Sequence, residues 1–281
     1  MASKYALITG CSAGSIGYFL AREFASKGYH VYATARRISN MGDLATHSNR
    51  VTLLVLDITS TESIAALHVE VKIQCGGKLD VIFHNAGYRS PAMAIEATYP
   101  ESIRMFSTNV AGVIEMNRVF THMVIRAKGW IAFTSSLSGL IPQPSHSVYC
   151  ASKAALDLYA RILRIEMRPF GVNVLVIHTG GIKTGMAEQK VEIDEESNYR
   201  YLAHKVNEAW AKLESDYMEP EDFATEVVRK ATQSRLWGPP TNIWCGKGAF
   251  LVRMLEFWNL NWTYDSLFTR MFGFDTAARE P

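Results

Sequence analysis

Apolar runs of strand length alternate along this chain with amphipathic stretches of helix length. Tyr5 to Thr9 reads as a buried strand, and Ile16 to Lys27 as a helix closed by Gly28. His30 to Ala35, Val51 to Leu56 and Val81 to His84 are further buried strands. A long helical stretch runs from about Glu101 to Ala127. A strand at Ile131 to Thr134, a helix from Val148 to Arg168 and a strand from Val172 to His178 follow. Thr241 to Cys245 reads as a final strand. This alternation predicts an α/β protein: parallel strands, right-handed crossovers, and a doubly wound sheet with helices on both faces. No repeat, low-complexity segment or Pro/Ser-rich linker interrupts it, so residues 1–281 are expected to form a single domain. Residues 185–220 are more polar and carry the acidic cluster Glu192, Asp194, Glu195 and Glu196, which predicts a mobile surface segment.

Composition excludes several function classes. The chain has 281 residues, 48% of them apolar, enough for a large core. Its 29 basic and 27 acidic residues nearly cancel, so no cationic stripe calls for nucleic acid. Cys11, Cys75, Cys150 and Cys245 stand far apart, which implies neither a metal site nor a disulfide framework. Reduced thiols fit a cytoplasmic enzyme. The first strand begins at once, leaving no room for a signal peptide, and no apolar run is long enough to span a bilayer.

Chemistry enters at Thr9-Gly10-Cys11-Ser12-Ala13-Gly14-Ser15-Ile16-Gly17, between the first strand and the first helix. A pyrophosphate needs backbone N–H donors at a helix N-terminus and no Cβ in the way. Glycines at a strand-to-helix turn meet both needs, and the βαβ context separates this loop from an ordinary glycine-rich turn. An NAD site usually ends the second strand with Asp or Glu, to hold the ribose 2′-hydroxyl. Here that strand ends Ala33-Thr34-Ala35, followed by Arg36 and Arg37. The acid is missing, and arginine can grip a 2′-phosphate by paired hydrogen bonds, so NADP(H) is the expected cofactor. Asp57 is placed either to accept from the adenine amino group or to cap the helix beginning near Thr59.

Tyr149 and Lys153 lie four apart on the Val148–Arg168 helix and so share a face. A free tyrosine has a pKa of about 10, and a nearby ammonium lowers it. The pair makes a workable acid for a carbonyl oxygen that gains negative charge during hydride transfer. Tyr-x-x-x-Lys alone is weak: twelve tyrosines predict about one accidental match, and Tyr201 with Lys205 is such a match. The neighbourhood separates them. Upstream of Tyr149 a strand leads into Thr134-Ser135-Ser136-Leu137-Ser138-Gly139, offering a hydroxyl at a strand's carboxyl end. Upstream of Tyr201 lies only the polar segment.

These motifs, with His84-Asn85-Ala86-Gly87, Asn109-Val110-Ala111-Gly112 and Gly180 to Thr184, come in one order. In that order the chain resembles the classical short-chain dehydrogenases/reductases over about residues 4–185. The resemblance implies a Rossmann fold and a catalytic tetrad of Asn109, Ser136, Tyr149 and Lys153. Tyr149 would be the acid/base, and Ser136 would polarise the carbonyl. Lys153 would bind the nicotinamide ribose, and Asn109 would hold a relay water. The expected cofactor contacts are Gly10, Ser12, Ser15, Ile16, Gly17, Arg36, Arg37, Asp57 and Ile58. Asn85, Ala86, Gly87, Tyr149, Lys153, Ile182 and Thr184 complete them. Two departures stand out. Ser15 and Ile16 lengthen the glycine turn by one residue, and Thr179 replaces the family's proline, which should loosen the backbone beside the nicotinamide. The longer loop and the aromatic C-terminus look like fungal members akin to acyl-dihydroxyacetone-phosphate reductase, which include enzymes of secondary metabolism.

The expected partition is a Rossmann core at 1–236 and an aromatic-rich helical extension at 237–281. That extension holds Trp237, Trp244, Phe250, Phe257, Trp258, Trp262, Tyr264, Phe268, Phe272 and Phe274. Between Gly248 and Leu260 only Arg253, Glu256 and Asn259 form a polar stripe. Three roles are open: core or subunit packing in a homodimer or homotetramer, a wall for a bulky apolar substrate, or peripheral seating on an endoplasmic-reticulum or lipid-droplet surface. The leading expectation is an NADPH-dependent reductase of a hydrophobic, lipid-like or polyketide-like ketone, or the reverse alcohol oxidation. A non-redox enzyme on the same scaffold (dehydratase, isomerase or cyclase) and a dinucleotide-sensing module are the alternatives. The complete tetrad argues against the module.

Overall fold

The computed structural model describes residues 3–186, 189–233, 239–260 and 262–276. Within them, β1 (Lys4–Thr9), β2 (Tyr29–Ala35), β3 (Val51–Val55), β4 (Val81–His84), β5 (Trp130–Thr134), β6 (Asn173–Thr179) and β7 (Asn242–Cys245) pair in parallel. They form one sheet in the order β3-β2-β1-β4-β5-β6-β7. Chain direction across the sheet reverses between β1 and β4, which opens a crevice beyond their carboxyl ends. The inner strands are apolar almost throughout, as a sheet covered on both faces requires.

Helix α1 (Ile16–Ser26) begins where the Ser15 hydroxyl accepts the Tyr18 N–H at 3.2 Å. It ends at Gly28, whose φ of +86° is left-handed. Its buried Leu20 and Phe24 share one core with Val31 and Phe83 of the sheet and with Phe223 and Val227 of α7 (Pro220–Thr232). The opposite face is covered by α2 (Thr61–Gln74), α4 (Gly112–Ala127) and α5 (Ser147–Met167), through residues such as Leu67, Phe120 and Leu156.

The expected helix from Glu101 to Ala127 is divided. Helix α3 (Tyr99–Phe106) runs into a π-helical turn, Ser107–Ala111, before α4. The cause is Asn109, whose side chain is pulled fully inside. Its amide donates to Tyr88 O at 2.9 Å and Ser152 Oγ at 3.0 Å, and its oxygen accepts the Tyr88 N–H at 2.8 Å. Such bulges concentrate at functional sites, and the apolar period gives no sign of them.

The polar stretch 185–220 also differs from expectation. It contains a packed helix, α6 (Ala203–Glu214), which buries Val206, Ala209 and Trp210. The Trp210 indole donates to Ser145 Oγ at 3.0 Å. Beyond β7 come α8 (Ala249–Phe257) and α9 (Trp262–Phe272). Phe272 joins Val206 and Trp210 in a small core, while Val252 and Tyr264 join Leu137 and Ile141 in another. Trp237 and the 236/237 boundary lie outside the described residues.

Candidate active site

A cavity of about 1010 Å³ opens beyond the carboxyl ends of β1, β4, β5 and β6. Its first wall is the glycine loop, where Gly10, Ser12, Ser15 and Ile16 line it. Gly10 has φ +75°, and a Cβ there would lie 2.8 Å from Ala86 Cα. A Cβ on Gly17 would lie 2.3 Å from Gly10 O, so both positions require glycine. Gly17 itself sits behind the wall. The extra residue does not spoil the turn: Ser15 donates to Gly10 O at 3.1 Å and caps α1. The loop therefore ends on a helix N-terminus, whose first N–H groups lack intrahelical acceptors.

At the end of β2 the chain passes from buried Ala35 to exposed Arg36, which lines the cavity. Arg37 is exposed and outside the lining. Asp57 and Ile58 line it too. Asp57 does not cap α2; Ser60 does. Asp57 Oδ1 accepts the Thr59 hydroxyl at 2.7 Å and its N–H at 2.9 Å. These bonds, with the Arg36 charge, hold its carboxyl below the usual range. Asn85, Ala86 and Gly87 line the floor, although the Asn85 side chain is a staple. It donates to Thr9 O and Gly10 O, each at 3.1 Å, and accepts the Thr134 hydroxyl at 3.1 Å, tying β1, β4 and β5 together.

Ser136, Tyr149 and Lys153 meet at the centre of the same cavity. The Lys153 ammonium donates to Thr134 O at 2.9 Å and lies 5.8 Å from the Tyr149 ring centroid. Burial pulls its pKa down to about 8, against the charge of Asp157 one turn along α5. Burial pushes the Tyr149 phenol up, and the Arg89 charge and a Ser136 hydrogen bond oppose it. The Ser136 hydroxyl is held in a chain, to Ser138 Oγ at 2.9 Å and on to Gln143 Oε1 at 2.6 Å. Asn109 stands behind this group, outside the lining. Tyr201 is exposed, on the turn Arg200–Leu202, away from the cavity.

On the far side Ile182 and Thr184 line the cavity. The backbone there is pinned rather than loose, despite Thr179. Gly180 N–H donates to Cys245 O at 2.8 Å, and Gly181 N–H to Lys247 O at 3.0 Å. The last wall is apolar: Leu251 and Leu255 of α8, and Leu267, Phe268 and Met271 of α9. Sequence reasoning missed Arg89, Gln143, Trp210 and Tyr217, which also line it. Only Arg89 carried a signal, as a cation two residues past the Asn85-Ala86-Gly87 motif.

A glycine cradle, a Tyr–Lys pair and a serine at these strand ends fit one family model, short chain dehydrogenase, over residues 4–195. The chain belongs to the short chain dehydrogenase family. Among curated relatives of this short-chain dehydrogenase, an NADPH-dependent 1-acyldihydroxyacetone phosphate reductase of Schizosaccharomyces pombe is 36% identical, over 87% of this chain and 86% of that protein. The short-chain dehydrogenase fogD of Aspergillus ruber is 33% identical, over 97% and 94%. A solved short-chain dehydrogenase from Streptomyces avermitilis superposes with a TM-score of 0.79, covering 98% of this chain and all of that one at 24% identity, a likeness of fold. The structure of ElxO with NADP bound superposes with a TM-score of 0.61 at 25% identity, covering 66% of this chain and 76% of that one. Oxidoreductase chemistry on a Rossmann fold follows from membership.

Proposed function

We propose that this short-chain dehydrogenase is an NADPH-dependent carbonyl reductase acting on hydrophobic ketones, with alcohol oxidation as its reverse. The observation that carries this is the continuity of one cavity. It runs from the glycine loop and Arg36, past Tyr149 and Lys153, to the apolar faces of α8 and α9. The residues present fit a dinucleotide: the loop excludes Cβ atoms where a pyrophosphate would approach, and Arg36 stands where an acid would select NADH. The names of the fission-yeast relative and of the ElxO structure support the same cofactor.

The nicotinamide, when bound, supplies or accepts the hydride. Tyr149 gives its proton to the carbonyl oxygen as negative charge develops there. A phenol raised by burial stays protonated at neutral pH, as a donor must. Ser136 turns its hydroxyl from the Ser138–Gln143 chain toward the same oxygen. Lys153 has one donor spent on Thr134 O and two for the ribose. Asn109 serves by holding the Tyr88 backbone and the π-turn, since its amide is committed to Tyr88 and Ser152. Residues 1–281 act as one domain, with 1–236 as core and 237–281 as the substrate-side extension.

The protein works as a homo-oligomer: Leu158, Ile162 and Ile165 on α5 and Ile114 on α4 are exposed, an apolar surface suited to a second copy. The thiols are free, consistent with the cytoplasm, and among the described residues no helix is long and apolar enough to cross a membrane.

The deciding experiment compares NADPH and NADH dissociation constants for the wild type and Arg36→Ala. Losing one charged contact costs about tenfold to a hundredfold in NADPH affinity and leaves NADH unchanged. Equal wild-type affinities for the two cofactors would overturn the NADP(H) assignment.

A further inference from the structure

Arg89 follows the Asn85-Ala86-Gly87 motif and lines the substrate half of the cavity, yet the mechanism above gives it no work. A guanidinium carries five N–H donors in a rigid fork. One group, Nη2, donates to the Met186 carbonyl. The Nε atom is buried without a hydrogen-bond partner. Among the described residues no ion pair joins Arg89 to a carboxylate. A buried donor left unpaired is unfavourable, and it gains most from a charged, two-oxygen acceptor.

The neighbouring cations are committed. Lys247 pairs with Asp216, and Arg104 lies 4.1 Å from the Tyr88 ring centroid and 3.5 Å from Glu101. Arg89 therefore brings a single uncompensated positive charge to this part of the site. Its position beside the reacting group shows in its reach. Burial raises the phenols of Tyr149 and Tyr217, the latter with help from Glu214, and lowers the His146 imidazole to about 3. The Arg89 charge opposes the two rises and reinforces the fall.

We propose that Arg89 reads a carboxylate on the substrate, so that the enzyme prefers keto acids whose hydrocarbon part lies along α8 and α9. This rests on the reductase reading above. One uncompensated cation matches a monoanion, and a planar carboxylate matches the guanidinium fork. A phosphate dianion would leave about one charge unbalanced. The apolar residues Leu251, Leu255, Leu267 and Phe268 supply the rest of the pocket.

The test uses 2-oxo-, 4-oxo- and 6-oxododecanoate, their methyl esters, and 2-oxodecyl phosphate. Binding is measured by calorimetry on the NADP⁺-saturated protein, and turnover by NADPH consumption. The wild type should bind at least one oxo acid about tenfold or more tighter than its ester. Arg89→Met should remove about tenfold to a hundredfold of that affinity while changing the ester less than about threefold. NADPH affinity should stay as it was, and Arg89→Lys should recover part of the acid preference. Equal binding of acids and esters to the wild type overturns the inference, and needs no variant to fold. So does an Arg89→Met that weakens both alike or loses NADPH. Tightest binding of the phosphate overturns the carboxylate assignment. Turnover of esters with no acid preference leaves the reductase reading standing, whereas acid-selective binding without turnover of any ketone sinks that reading and keeps Arg89 as a carboxylate anchor.

Discussion

Behind Tyr149 and Lys153 lies a buried carboxylate whose removal should change the pH range of catalysis. Asp157 follows Lys153 by one turn of α5 and is almost fully enclosed. His178 Nδ1 stands 3.7 Å from its Oδ2, and the His178 ring stacks on Trp244 at 4.3 Å between centroids. Burial lowers Lys153 from 10.5 to about 8, and Asp157 is the charge that opposes this. A carboxylate and an ammonium about 6 Å apart, at an effective dielectric of about 20, attract by about 3 kcal/mol, or about two pH units of titration. Burial also raises the Asp157 carboxyl, against Ser135, His178, Lys153 and Arg161, so its charge is incomplete and about one pH unit is the fairer expectation. The sign follows directly. Lysine is charged below its pKa, so activity that needs the ammonium falls as pH rises through about 8 in the wild type. In the near-isosteric Asp157→Asn it should fall from about pH 7. The assay is kcat/KM for NADPH-dependent ketone reduction from pH 5.5 to 9.5, with NADPH affinity and thermal melting as controls, and Asp157→Glu as the charge-keeping variant. A basic limb that stays in place in Asp157→Asn, with folding and NADPH binding intact, refutes the reasoning.

Tyr149→Phe should fold and bind NADPH but lose at least about a hundredfold in turnover, whereas Tyr201→Phe should change little; equal behaviour would mean the wrong Tyr-x-x-x-Lys pair has been assigned. Leu255→Trp adds bulk to the apolar wall of the cavity, so activity on long-chain ketones should fall by about tenfold while acetone-sized ketones and NADPH affinity are spared. A uniform loss across substrate sizes would show that α8 acts through stability instead.

The strands and the outer helices were legible because their periods are set by burial, and burial is written in apolar spacing. The glycine loop, Ser136, Tyr149 and Lys153 were legible because each motif sits at a strand end that the alternation already located. What stayed hidden depends on contacts between distant segments. The π-turn at Asn109 answers to Tyr88 and Ser152, and neither leaves a mark in the local pattern. Helix α6 was read as loop because acidic residues just before it dominate the composition, while the face that packs is only Val206, Ala209 and Trp210. Thr179 looked like a loss of rigidity because proline stiffens a backbone locally. The stiffness comes instead from hydrogen bonds to Cys245 and Lys247, nearly seventy residues along the chain.

The aromatic tail shows why composition alone could not choose among packing, substrate and lipid. Helix α8 is apolar around most of its circumference, and the structure divides that circumference by function. Ala249 and Val252 are buried against Leu137 and Ile141. Val252 and Leu255 also line the cavity, while Phe250, Phe257 and Trp258 stand out in solvent. Helix α9 repeats the division, with Phe272 in the core, Leu267, Phe268 and Met271 on the cavity, and Trp262 exposed. A helix that must meet a core, an apolar ligand and an outer surface together has few positions left for polar residues. It therefore reads as apolar all round although no single partner encloses it. Removing the whole extension would consequently test stability and substrate binding at once, because Trp210 and Leu137 would lose their covers. Single substitutions on the cavity face separate the two, since a residue such as Leu255 can change the space a substrate occupies while Phe272 keeps the helix docked.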